Sequence, residues 1–141
     1  MAGDITLTMI KPYAVTKNYT GDIITQINKA GFKIKALKMT WLSPLQAEQF
    51  YAVHKDRPFY GALVQYMASG PIVAMVLQKE NAVADFRKLI GATDPAEAAE
   101  GTIRKQFGTD KQRNAVHGSD SDENAIIESN FHFAIKDQYA Y

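Results

Sequence analysis

Ile72-Val73-Ala74-Met75-Val76-Leu77 is the longest unbroken apolar run in the chain, with Ser69-Gly70-Pro71 before it and Gln78-Lys79-Glu80 after it. A membrane crossing needs about 20 such residues, so this run does not span a bilayer. Its length, its valines and its turn-forming flank predict a strand buried on both faces, and hence a sheet covered by structure on each side. Upstream, Ile5-Thr6-Leu7-Thr8-Met9 alternates with period two, the pattern of a second strand. That strand stops at Lys11-Pro12, because proline has no ladder donor and restrains the residue before it.

Between these strands the period changes. Thr20 is placed to cap a helix whose Ile23, Ile24, Ile27 and Ala30 line one stripe, with Gly31 as its stop. Phe32, Ile34 and Ala36 then share one strand face before the parity passes to Leu37, Met39 and Trp41, which predicts a bulge near Ala36. Ser43-Pro44-Leu45-Gln46 is a capping box with proline at the first helical position. The helix it opens should carry Phe50, Tyr51 and His54 on adjacent positions, and Asp56-Arg57-Pro58 breaks it. Phe59, Leu63, Tyr66 and Met67 repeat at helical spacing up to Ser69-Gly70-Pro71. Beyond the buried run, Asn81 caps a helix to Ile90 that ends at Gly91.

The pattern weakens from Ala92 to Arg113, a long connection of the kind that usually serves function, with one short helical turn at Asp94-Pro95-Ala96-Glu97. Asn124 to Ser129 reads as helix and Phe131-His132-Phe133 as a last short strand. Strand, helix, strand, helices, strand, helix, strand is the order of an α+β, ferredoxin-like split βαβ sandwich, a four-stranded antiparallel sheet with helices packed on it. The 141 residues are expected to form a single domain, residues 1–141.

Composition narrows the chemistry. With 46% hydrophobic and 22% charged residues the chain is neither a disordered tail, a collagen-like repeat nor a coiled coil. A formal net charge of +1 lacks the basic excess of a dedicated nucleic-acid binder. The absence of cysteine removes disulfides, thiolate zinc sites and thiol catalysis. The opening Met1-Ala2-Gly3-Asp4 leads straight into strand pattern without a basic flank or apolar core, so a cytoplasmic protein is expected.

No G-x-x-x-x-G-K-[ST], G-x-G-x-x-G or G-x-S-x-G motif occurs, so phosphate would have to be held by side-chain cations and helix ends. Asp120-Ser121-Asp122-Glu123-Asn124 imitates the start of a calcium loop, but Ala125 and Phe131 stand where glycine and a bidentate glutamate are needed. His132, between two phenylalanines, reads as an ordinary outward-facing strand residue, and His54 as packing or rim. His117 differs. It lies in Asn114-Ala115-Val116-His117-Gly118-Ser119-Asp120-Ser121, a loop-like stretch where Gly118 permits close backbone approach to a ligand and hydrogen-bonding residues surround the ring. Lys11, Arg87 and Arg104 are solvated charges taken singly; together they would make a phosphate fork.

That octapeptide resembles the active-site signature N-x-x-H-G-S-D-S of nucleoside diphosphate kinases. Met9-Ile10-Lys11-Pro12, Arg57-Pro58-Phe59, Ser69-Gly70-Pro71-Ile72-Val73, Leu89-Ile90-Gly91-Ala92-Thr93-Asp94-Pro95 and Gly101-Thr102-Ile103-Arg104 resemble further family segments in the family's order, from about Ile5 to Phe133. The resemblance implies ping-pong transfer of a γ-phosphoryl group from a nucleoside triphosphate to a nucleoside diphosphate through a phosphohistidine at His117. By the same resemblance Glu128, supported by Ser119, holds the ring, while Lys11, Arg87, Thr93 and Arg104 bind phosphates and Tyr51 lies on the phosphate and histidine side. Asn114 and Lys11 would contact the sugar, and Phe59 would stack on the base with Leu63 nearby. Mg²⁺ would ride on the nucleotide phosphates rather than in a protein cage, and the chain would assemble as a homo-oligomer, tetramer or hexamer.

Two positions depart from the family pattern: Tyr13 replaces the usual acidic residue after Lys-Pro, and Lys111 stands where an apolar side chain often faces the base. Two other classes fit the composition. One is a non-enzymatic ferredoxin-like nucleotide module, for which Tyr13 is the only support. The other is a single-strand nucleic-acid binder, whose RNP pattern is absent. Neither a membrane nor nucleic acid is expected as the main partner.

Overall fold

The computed structural model describes residues 3–141; Met1 and Ala2, read above as part of the opening, lie outside the described residues. The first alternating stretch is strand β1 (Ile5–Ile10). Pro12 then starts a short helix α1 (Pro12–Thr16), a turn not expected from the sequence, in which proline's fixed φ suits the first helical position. Helix α2 (Thr20–Lys29) begins at Thr20 rather than being capped by it; Tyr19 occupies the cap position with no side-chain bond. Gly31, at φ +97°, ends it in the left-handed region. Strand β2 (Lys33–Thr40) carries the expected bulge, its register against the next strand slipping between Ile34 and Ala36.

Helix α3 (Pro44–Phe50) has both bonds of the capping box: Ser43 Oγ accepts from the Gln46 amide at 3.1 Å and Gln46 Oε1 from the Ser43 amide at 2.9 Å. A 3-10 turn (Ala52–His54) and helix α4 (Tyr60–Met67) follow. The decisive apolar run forms strand β3 (Ile72–Gln78), buried from Ile72 to Leu77. Helix α5 (Ala82–Ile90) ends at Gly91, where φ is +89° and an added Cβ would lie 2.7 Å from Thr102 Oγ1. The Ala92–Arg113 connection holds the expected turn at Pro95–Glu97, started by Asp94, and also an unexpected helix α6 (Ile103–Phe107) capped by Thr102.

Sheet order is β2-β3-β1-β4 with every pairing antiparallel, so the ferredoxin-like α+β expectation holds. The identity of the last strand does not. Strand β4 is Val116–Gly118, and Phe131-His132-Phe133 instead closes helix α7 (Asp122–His132), with Phe133 as its C-cap. Ser121 Oγ accepts from the Asn124 amide at 3.1 Å and nucleates that helix. Ala125, Ser129 and His132 are then buried at helical spacing, a period that the short alternating triplet could not overrule. The slot beside β1 is filled because Lys11 N donates to Ala115 O at 2.9 Å and Ser119 N to Leu7 O at 3.2 Å.

One core packs Ile10, Ile23, Ile27, Phe32, Met75, Leu77 and Phe86 between the sheet and α2 with α5; the other packs Leu7, Met9, Ala47, Met67, Ile72 and Val76 against α3 and α4. Full burial of one ring such as Phe86 contributes up to about 3 kcal/mol, which fixes α5 and the side chains it presents. Among the described residues no helix is long and apolar enough to cross a membrane.

Candidate active site

His117 sits on β4 opposite Met9 of β1, so it is a strand residue and not a loop residue. Its approach is strained. Ala115 has φ +75° and Val116 N donates to Asn114 O at 2.9 Å, a tight γ-turn that a residue with a Cβ rarely adopts. This turn lets Asn114 and His117 face the same cleft from neighbouring positions. Gly118 lines the cavity as expected and also packs closely behind: a Cβ there would come within 3.0 Å of Ile90 Cδ1 and 3.2 Å of Phe86 Cδ2. Close packing of β4 on α5 therefore favours glycine.

Helix α7 returns Glu128 to the ring. Glu128 Oε1 lies 2.8 Å from His117 Nε2 and 2.7 Å from Ser119 Oγ, which donates to it. Ser119 Oγ in turn accepts from the Leu7 amide at 3.0 Å, while its alternative carbonyl partner is 3.4 Å away and weaker. A carboxylate here accepts the Nε2 proton and fixes the tautomer. Nδ1 is left as the lone-pair nitrogen, without a protein partner among the described residues.

The cations converge as the sequence suggested. Lys11, Arg87 and Arg104, together with Thr93 and Asn114, line one cavity of about 640 Å³ with His117 and Glu128. Lys11 Nζ donates to Asn114 Oδ1 at 2.7 Å, and Asn114 Nδ2 donates to Thr93 O at 3.0 Å. Arg104 donates to Gly91 O at 3.1 Å and Val116 O at 2.9 Å. None of the three has a carboxylate partner among the described residues. Burial, with Arg104 alongside, lowers the Lys11 ammonium to about 7; burial, with Arg87 alongside, lowers Arg104 to about 10. Like charges gathered with no counterion make a site prepared for an anion.

Aromatic rings continue the cavity outward. Tyr51 lies edge-on to His117 at 6.3 Å, His54 is 6.5 Å from Tyr51, and Phe59 is 5.7 Å from His54. Leu63 and half-exposed Phe59 form the outer wall. Tyr51 Oη and Arg104 Nε are buried with no hydrogen-bond partner among the described residues, a costly arrangement unless a ligand supplies one. Burial first, then the Glu128 charge, drives the Tyr51 phenol far above its usual range, so it stays a donor.

Ser119 alone among the expected site residues does not line the cavity; it acts from behind, through Glu128. Sequence reasoning named Phe50 only as a helix neighbour of Tyr51 and His54, although its ring meets His117 edge-on at 5.4 Å. It gave no cleft role to Val53, Ala62, Gln112, Asp120 and Asn124, which also line the cavity. Phe50 reads as helix core, and its neighbour Tyr51 was the only signal pointing to it. His132 corrects another expectation. It is buried, its Nε2 has no partner, and its ring packs on Phe50 at 5.3 Å. Tyr13, at its departure from pattern, lies between Lys17 and Arg113, each 5.5 Å from the ring, and Lys11 still reaches the cleft.

Residues 4–137 match the family model described as nucleoside diphosphate kinase. A nucleoside diphosphate kinase of Flavobacterium psychrophilum is 58% identical over 139 residues, 99% of this chain and 100% of that one. One from Chlorobaculum parvum is 60% identical over 132 residues, 94% of each chain. Among solved structures, the Aquifex aeolicus nucleoside diphosphate kinase has a TM-score of 0.95 at 46% identity, covering 96% of this chain and 99% of that one. The Halobacterium salinarum enzyme, solved in complex with CDP, has a TM-score of 0.93 at 35% identity, over 99% of this chain and 93% of that one. A fold, a signature and near-complete likeness of this order leave one conclusion: the chain belongs to the nucleoside diphosphate kinase family of phosphotransferases.

Proposed function

We propose that this cleft, in a single domain of residues 1–141, transfers the γ-phosphoryl group between nucleotides in two half-reactions at His117. In the first, the Nδ1 lone pair attacks the γ-phosphorus of a nucleoside triphosphate. An N–P bond forms, the bond to the β,γ-bridging oxygen breaks with its electron pair on the diphosphate, and the diphosphate leaves. In the second, a terminal oxygen of another nucleoside diphosphate attacks that phosphorus, and the N–P electron pair returns to Nδ1. The observation carrying this reading is the 2.8 Å bond between His117 Nε2 and Glu128, which frees Nδ1 in a cavity walled by unpaired cations.

Glu128 offsets the positive charge that the imidazole acquires on phosphorylation, and Ser119 keeps the carboxylate from swinging away. Lys11, Arg87 and Arg104, with Thr93, hold the phosphates and compensate charge on the equatorial oxygens as it develops. The orphaned Tyr51 hydroxyl and Arg104 Nε supply donors there without reorganisation. Asn114 and Lys11 meet the sugar hydroxyls, and Phe59 with Leu63 takes the base. Stacking uses a face that every base has, so purines and pyrimidines are both accepted.

Among the described residues no group of three or more His, Cys, Asp or Glu side chains gathers around a metal position. Mg²⁺ would be carried by the nucleotide phosphates, because the ion prefers phosphate oxygens and water. Asp120, whose Oδ1 accepts from Asn124 Nδ2 at 2.6 Å, would have its second oxygen available to a water of such an ion. When bound, Mg²⁺ neutralises phosphate charge; holding and orienting the reactants falls to the side chains above.

The working form is a cytoplasmic homo-oligomer, tetramer or hexamer. Exposed Leu37 and Met39 on edge strand β2, with Trp41 just beyond its end, offer a surface for self-association, which sedimentation would detect. The chemistry is tested with ATP labelled at the γ-phosphate. The native protein should take up acid-labile label and pass it to a diphosphate, and His117→Ala should take up none. Equal labelling of the variant would exclude His117 as carrier.

A further inference from the structure

Stacking on Phe59 explains tolerance of many bases but gives no reason to prefer one. The outer end of the cleft nevertheless holds a charge with no assigned work. Lys111 lines the cavity, is exposed, and makes no ion pair or hydrogen bond among the described residues. Its neighbours are all engaged. Asp110 Oδ1 accepts the Arg113 amide at 2.7 Å, and Oδ2 accepts the Arg113 guanidinium at 2.7 Å, neutralising that charge. Gln112 Nε2 donates to Ala62 O at 3.1 Å, tying the segment to α4 beside Leu63. The backbone that carries Lys111 is thereby anchored, while its ammonium stays free to reach into the cleft mouth.

The other cavity-lining charges lie toward the histidine: Lys11 and Arg104 in the bonded network around Asn114 and β4, Arg87 close enough to Arg104 to lower its pKa, Asp120 just after β4 and bonded to Asn124, and Glu128 on the ring itself. Among the described residues at the base end, Lys111 is the cation without a partner. An ammonium is a donor only. Guanine, uracil and thymine present a keto oxygen, O6 or O4, on the edge away from the sugar; adenine and cytosine present an amino group there. At that position a lone ammonium finds an acceptor on the first kind and none on the amino group of the second. N7 is common to both purines and does not discriminate.

Building on the nucleotide-kinase reading of this cleft, we infer that Lys111 biases its base subsite toward keto bases over amino bases. The comparison that isolates the effect uses base pairs differing at this position, inosine against adenosine diphosphate and uridine against cytidine diphosphate. Phosphorylated protein, freed of nucleotide, is discharged by each diphosphate, and equilibrium binding of the same four is measured by calorimetry.

The native protein should favour each keto member by about three- to tenfold, the scale of one partly solvated charged hydrogen bond. Lys111→Leu should bring both ratios close to one by slowing the keto members alone, and Lys111→Arg should keep them. Because the group is exposed, about 0.5 M salt should shrink the preference. Ratios unchanged in Lys111→Leu, or an equal loss for all four diphosphates, would overturn the inference; the latter would mean general attraction of phosphate. Keto-selective binding without any discharge would refute the histidine chemistry while supporting the role of Lys111. No binding of any diphosphate would overturn both.

Discussion

The two ends of the cleft are built on opposite plans. At the phosphate end most side chains are held by hydrogen bonds, with Tyr51 Oη and Arg104 Nε left open. Lys11 bonds Asn114, Asn114 bonds Thr93, Arg104 bonds two carbonyls, and His117, Glu128 and Ser119 form a chain ending on the β1 backbone. The base end has one half-exposed phenylalanine, a leucine and a free lysine. Group transfer needs charges held in place before the substrate arrives, since reorganising them costs barrier height. Accepting several bases needs the reverse, a wall that adapts. The same fold supplies both because most of the first set sits on or directly beside strands β1 and β4 and on helices α6 and α7, with Thr93 tied in through Asn114, whereas the second lies at the start of α4 and on the loop after α6.

Removing a tied charge should therefore do the greatest damage. Arg104→Ala should cut kcat/KM by about 10²- to 10³-fold, the usual cost of one preorganised electrostatic donor, read from steady-state rates with every nucleotide alike. Base-dependent loss would break the division between the ends. Glu128→Gln keeps an acceptor for Nε2 but removes its charge. It should lower kcat by about 10²-fold with little change in KM, and a change in KM alone would mean that the carboxylate acts on binding.

At the adaptable end, Phe59→Ala should raise KM by about tenfold, within the range of one base stack, and leave kcat nearly intact. A smaller effect separates binding from folding at Lys11. Its ammonium titrates near 7 in the free protein and near 10.5 unfolded. Between these values the unfolded chain binds more protons, so stability should rise with pH. Nucleotide phosphates need the charged form, so affinity should fall over the same window. Thermal melts and titrations at pH 6.5, 7.5 and 8.5 read the two slopes; slopes of equal sign would contradict the buried cation.

What the sequence made legible follows how local each signal is. The bulge at Ala36, the box at Ser43 and the stop at Gly91 rest on neighbours in the chain and could be read directly. The convergence of Lys11, Arg87 and Arg104 was only a possibility from spacing; its expectation came from the family signature, and the sheet order brings it about. Strand β4 was missed because three residues, Val116-His117-Gly118, carry no period of their own and pair only because β1 offers a free edge. Phe131-His132-Phe133 was misread for the converse reason: a three-residue alternation sits inside a longer helical stripe. Gly118 does line the cavity, but its tight packing on Phe86 and Ile90 of α5 was not legible because those residues lie about thirty positions earlier in the chain.

His132, the residue most misjudged, gives a comparison with almost no effect at neutral pH. Its ring is buried against Phe50, whose other edge touches His117, so it belongs to the tied end although it bonds nothing through Nε2. Burial is the main influence holding it down near pH 4. Lys38 of β2 and His117 of β4 add to this, and Glu128, one turn earlier on α7, opposes it. Unfolded, it would titrate near 6.5. Protons therefore bind the unfolded chain more readily between about 6.5 and 4, and stability should drain away as pH falls through that interval. A shift of this size corresponds to roughly 3 kcal/mol at the acid end and close to nothing at pH 7. His132→Phe fills the same space without a titrating nitrogen. Urea unfolding should give matching midpoints for native and variant near pH 7.5 and a more stable variant near pH 4.5. If the two curves stay parallel across the range, the charge that destabilises the acid form lies elsewhere. If kcat at pH 7.5 also falls, the neutral imidazole contributes to holding Phe50 against the nucleophile.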